Sequence, residues 1–236
     1  MQLMKKAAGR IVSFSIGMLW LGVAAPVSAQ VLFDNTLNDL HTRFNPGTYQ
    51  VGDEIYLAGT GNLMYFSFEW YGTNTLHPAS FSGAIQAQVR MYYNDGTPFN
   101  GYPSPGALPF FNETFSFADV GATPTPRSTF EFFAGIDFPT GGLSITSPDI
   151  TWTVQFTGLG AGDEVGLDLY SPPVVGTEVG DFGDYWQYNG GWSLLTNTVA
   201  MDFGAYMAAP EPSSMTLSVL GGVGMLIAMR WFRRKE

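Results

Sequence analysis

The sequence predicts an all-β fold between residues 30 and 209, an antiparallel β-sandwich of jelly-roll kind. Three observations predict it. Glycine (29), proline (15) and aromatic residues (15%) are plentiful among the 236 residues, as many short strands and tight turns require. Several stretches alternate apolar and polar residues at period two. No stretch of this segment keeps a helical period over three turns, although 36–43 fits one short helix.

Taken in order, the chain opens with a basic group of Lys5, Lys6 and Arg10. An apolar run follows over 11–25, and the small residues Val27, Ser28 and Ala29 precede Gln30. This order predicts a signal peptide over 1–29, removed by signal peptidase after passage through the export machinery.

Strands are then expected at 31–33, 55–58, 63–71, 84–93, 111–117, 129–133, 150–157, 165–170, 185–188, 192–195 and 199–206. In 63–71, Met64, Phe66, Phe68 and Trp70 share one face. In 84–93, Ile85, Ala87, Val89, Met91 and Tyr93 do the same. The clearest case is 150–157, where Ile150, Trp152, Val154 and Phe156 alternate with Thr151, Thr153, Gln155 and Thr157. Turn signals at 45–47, 94–96, 140–142 and 189–191 separate these segments.

The chain closes with Pro210, Glu211 and Pro212, an apolar run over 215–229, and a basic tail of Arg230, Arg233, Arg234 and Lys235. From 212 to 232 a helix would span about 31 Å, close to the roughly 30 Å hydrocarbon core of a bilayer. A membrane helix with its basic end in the cytoplasm is expected. The order of these parts resembles the PEP-CTERM sorting signal of bacterial surface proteins, which joins a Pro-Glu-Pro motif, one hydrophobic helix and a basic C-terminal tail. The resemblance implies an exosortase as processing partner, an inner-membrane precursor, and a final place at the cell surface or outside the cell. The domain division is then signal peptide 1–29, sandwich 30–209 and sorting signal 210–236. The stretches Val31-Leu32-Phe33-Asp34, 51–59 and 91–96 also resemble ectodomains that precede this signal, which supports the fold and implies no activity.

Charge placement agrees with export. Residues 30–209 hold Arg43, Arg90 and Arg127, no lysine, and 18 acidic residues, a net charge of −15. So acidic a segment argues against nucleic acid as a partner. The chain has no cysteine, which excludes disulfides, thiolate metal sites and a cysteine nucleophile.

Chemistry is sparsely signalled. His41 and His77 lie in no recognisable catalytic motif, and no nucleophile elbow or phosphate-binding loop appears. Glu69 and Glu131 lie inside apolar strands and are the pair to test for glycoside hydrolysis, although the solvent face is their expected position. Hard oxygen ligands for calcium could gather in Gly-rich turns at Asp53, Glu54, Asp95, Asp163, Glu164, Asp181 and Asp184. Trp186, Tyr188 and Trp192 could offer flat faces to sugar rings, and core packing is the competing role of such residues. The expectation is a non-enzymatic surface or matrix protein, associated with exopolysaccharide. The alternative is a glycan-binding module or glycoside-directed enzyme on the same scaffold.

Overall fold

A computed structural model of the chain describes residues 29–180 and 183–210. Residues 1–28 of the expected signal peptide, the Glu211-Pro212 part of the sorting motif, the apolar run and the basic tail lie outside these residues, as does Asp181.

The described chain is all-β and antiparallel, with fifteen strands and no helix. One sheet is built from β1 (Ala29–Asp34), β2 (Asp39–Phe44), β5 (Tyr65–Asn74), β8 (Thr125–Phe133), β11 (Asp163–Tyr170) and β15 (Ala205–Pro210). The other contains β3 (Gln50–Tyr56), β6 (Gln86–Tyr93), β7 (Phe111–Ser116), β10 (Asp149–Thr157), β12 (Thr177–Glu178), β13 (Asp184–Tyr188) and β14 (Trp192–Thr196). β4 (Gly61–Leu63) and β9 (Leu143–Ile145) pair with each other alone. In the first sheet β15 lies between β1 and β5, and in the second β3 lies beside β10.

The period-two pattern decides what the sheets share. Phe66, Phe68 and Trp70 of β5 are buried, as are Ile150, Trp152, Val154 and Phe156 of β10. Trp152 is fully buried between the sheets, its ring 5.5 Å from Phe66, 5.7 Å from Phe68 and 6.1 Å from Phe203. Edge-to-face packing of this kind adds to the area that such large side chains bury.

The opposite face of β10 is polar in sequence, yet Thr151 and Thr153 are fully buried. Polar neighbours cover them. Gln50 donates to Thr153 Oγ1 (2.9 Å) and to the Tyr92 hydroxyl (3.1 Å), while Thr151 donates to Asn94 Oδ1 (2.7 Å).

The short helix expected over 36–43 does not form. β2 takes up residues 39–43 of that stretch and pairs with β11, with an irregularity in register between Leu169 and Tyr170. His41 adopts φ 54°, a conformation uncommon outside glycine, so the strand bends within itself. Such a break erases the alternation by which a strand is read.

Candidate metal centre

β3 carries an acidic residue where the sandwich calls for an apolar one. Val51, Asp53 and Ile55 share one face of the strand by period two, and that face looks into the core. Asp53 is 3% exposed and Asp202, just ahead of β15, is 5% exposed. Glu178 reaches the same point from β12, which pairs with β3 by setting Glu178 opposite Ile55. Carboxylate oxygens of these three residues all lie within 4.8 Å of one another.

Local structure fixes each group. Gly176 precedes β12 with φ 77°, and a Cβ there would stand 2.7 Å from Phe33 and 2.8 Å from the Tyr56 carbonyl. Only glycine lets the chain pass this close and deliver Glu178. Asn35, wholly buried after β1, accepts a hydrogen bond from Ala205 N (2.6 Å) and donates to the Phe203 carbonyl (3.0 Å) and to Glu178 Oε1 (3.3 Å). Phe203 N donates to Asp53 Oδ2 at 3.3 Å. Glu178 Oε2 is buried and accepts no hydrogen bond.

The electrostatics follow from this crowding. Burial pushes the Asp53 carboxyl well above its usual range, and the charges of Glu178 and Asp202 add to the effect. Burial also raises Glu178, with Asp202 adding to it. Asp202 is raised by burial, with the Ser171 hydroxyl opposing. A cavity of about 350 Å³ opens beside the cluster, lined by the three carboxylates together with Ser171, Thr177 and Asp184.

Of the acidic residues expected to gather, Asp53 joins this cluster and Asp184 lines its cavity. Glu54 turns to the other face of β3, where it accepts a hydrogen bond from the Trp186 indole. Asp95 lines a separate cavity of about 580 Å³ with Phe99 and Trp192. Asp163 accepts hydrogen bonds from Ser82 N, Gly83 N, Gly160 N and Asn74 Nδ2, which pins a loop junction. Glu164 accepts from the Tyr71 hydroxyl at 2.7 Å. Glu178 and Asp202 were not expected. Asp202 carried a signal nonetheless, a lone carboxylate in an apolar run.

The aromatic candidates do come together. The Tyr188 and Trp192 rings are 5.0 Å apart, and Trp192 is 6.4 Å from Trp186. Trp186 is 1% exposed and cannot offer its face to a sugar, whereas Tyr188 is 42% exposed. Trp70 and Trp152 are core. Glu69 and Glu131 sit diagonally on β5 and β8, since Ser67 pairs with Glu131 and Glu69 with Thr129. Thr129 and Tyr65 hydroxyls donate to them, at 2.8 and 2.7 Å. His41 is exposed and paired with Asp39, and His77 is also exposed.

Comparison with protein-family models, with curated proteins and with solved structures gives no match to this chain.

Proposed function

We propose that this chain is an exported, non-enzymatic surface or matrix protein with a jelly-roll-like body, sorted through its C-terminus by an exosortase. The observation that carries the reading is the order of Pro-Glu-Pro, apolar run and basic tail behind a body with an export signal. The fold is compatible with that order: Pro210, the first residue of the motif, lies in β15 beside the first strand of the body. The non-enzymatic reading is supported by the absence of a recognisable catalytic motif in the sequence. The two histidines lie apart from the buried carboxylates, and Glu69 and Glu131 are each tied to a neighbouring hydroxyl.

Mass spectrometry of the surface-exposed form tests the proposal. The mature chain is expected to begin at or near Gln30 and to lack the tail. Finding Met1 or the peptide containing Arg233, Arg234 and Lys235 in that form would refute it.

A glycan-binding body is the second reading, favoured by the cavity of about 580 Å³ that places Trp192 and Phe99 beside Asp95, Thr97 and Ser104. An aromatic platform beside hydroxyl and carboxylate groups suits an exopolysaccharide. A glycan array followed by reducing-sugar assays separates binding from hydrolysis.

A further inference from the structure

Asp53, Glu178 and Asp202 are brought to one point from three distant segments. Among the described residues, the ion pairs engage Asp39 and Asp168, and none reaches this cluster. We propose that the three carboxylates bind one divalent cation of the calcium class, which fastens the two sheets together at this end of the body.

The geometry comes first. Calcium takes oxygen ligands at about 2.3–2.6 Å, so two ligands on opposite sides of the ion stand about 4.6–5.2 Å apart. Three oxygens within 4.8 Å of one another can therefore surround a single ion. The second observation is independent of the grouping. Glu178 Oε2 is sealed from solvent with no donor aimed at it, a costly state for a carboxylate oxygen. A cation at the centre of the cluster supplies the missing partner. Third, the adjoining cavity brings Ser171, Thr177 and Asp184 to the same place, as oxygen groups that can complete a shell of six to eight.

The chemistry of the donors sets the class of ion. Every ligand in the cluster is a carboxylate, the chain has no cysteine, and neither histidine contributes. Hard oxygen donors of this kind suit calcium over zinc or copper.

The position gives the ion a structural task. Asp53 is on β3, Glu178 on β12, and Asp202 sits where its carbonyl accepts from Tyr170 N at the end of β11, three residues before β15. One ion would thus tie the second sheet to the first. The site belongs to the body whether or not the tail is processed, so its test is separate from that of the sorting proposal.

The experiment uses the full chain in detergent, with terbium as a luminescent calcium substitute. Trp152 is the cross-strand partner of Asp53 and serves as the excitation donor. Sensitised emission is expected to saturate at one tight ion per chain, and calcium should displace it far better than magnesium. Thermal melting is expected to rise with calcium relative to chelator at matched ionic strength, by mass action. The double variant Asp53→Asn/Glu178→Gln should lose both responses and melt in chelator no lower than the parent, because amides remove the buried repulsion. If that variant does not fold, Glu178→Gln alone should weaken calcium by about tenfold, since affinity follows the charge of the ligand set. A parent with no tight terbium site and no calcium-dependent melting overturns the proposal. So does a folded variant that keeps both responses, or equal displacement by magnesium.

Discussion

The indole N–H of Trp186 donates to Glu54 Oε2 at 3.0 Å, across the outer face of the sheet that holds β3 and β13. The second oxygen, Oε1, is buried and accepts no hydrogen bond. Burial drives the Glu54 carboxyl up to about 7; the Trp186 bond opposes the rise, and Asp149 adds to it.

A pH dependence follows from that pair. A carboxyl raised in the folded state favours folding while protonated, and the gain disappears as pH climbs from about 4.5 to about 7. Asp53, Glu178 and Asp202, raised in the same sense, should add to the loss in chelator. Melting temperature in chelator is therefore expected to fall between pH 5 and pH 8. Glu54→Gln should flatten part of that fall. An identical slope in parent and variant would show that Glu54 is ionised in the fold.

Trp152 should tolerate change by shape and not by volume. Its indole N–H is buried without an acceptor among the described residues, so Trp152→Phe removes a poorly satisfied group while keeping a ring. Trp152→Ala empties the space between Phe66, Phe68 and Phe203, at a cost of about 3–5 kcal/mol. Urea unfolding of the two variants should rank Phe well above Ala. Equal losses would show that a benzene ring does not replace the indole in filling the space between the sheets.

Asp163 should behave as a staple. Burial pushes its carboxyl up, but the bonds from Ser82 N, Gly160 N, Gly83 N and Asn74 outweigh it and hold the group below its usual value. The stabilisation is present at neutral pH and lost as pH falls below about 3.8. Asp163→Ala removes the acceptor of three backbone N–H groups that water can partly replace, and should cost about 1 kcal/mol. Proteolysis within 75–84 or 158–162 should quicken. An Ala variant as stable and as resistant as the parent would remove the staple.

Glu211→Ala separates recognition from insertion. Glu211 precedes the apolar run and adds nothing to its burial in a bilayer, so the variant should still reach the membrane. Its processing should fail, leaving full-length precursor in membrane fractions by blotting. Surface display equal to the parent would leave only a simple anchor. Replacing Arg230, Arg233, Arg234 and Lys235 with Ser should act differently, by weakening the cytoplasmic stop.

Most strands were legible where alternation ran long, although the one expected over 199–206 forms only from Ala205 onward. Ile150, Trp152, Val154 and Phe156 announce β10 because each second residue must enter the core. β4, β9 and β12 hold only two or three residues each, too few to show a period. β2 was misread because the left-handed turn at His41 interrupts it. The carboxylate cluster was half visible: Asp53 keeps step with Val51 and Ile55, a conflict readable in the sequence. Its partners could not be named, because the pairing of β12 with β3 and the return of residue 202 are long-range facts that no local pattern encodes. Trp186 and Trp192 were rightly grouped, but which ring faces solvent depends on packing across residues 95–107.

Ala29 pairs with Pro210, and β15 runs between β1 on one side and β5 on the other. Tension applied at residue 210 therefore runs along a strand gripped by two ladders. It loads many hydrogen bonds in parallel shear, where a strand at the sheet margin would peel open one rung at a time. β1 acts as a clasp over the load-bearing strand, and a cut between residues 29 and 30 takes away only the first residue of that clasp. A body held by its C-terminus would resist flow at a mechanically strong seam. Force spectroscopy with the handle at residue 210 would register this as a single high rupture event that drops when β1 is deleted.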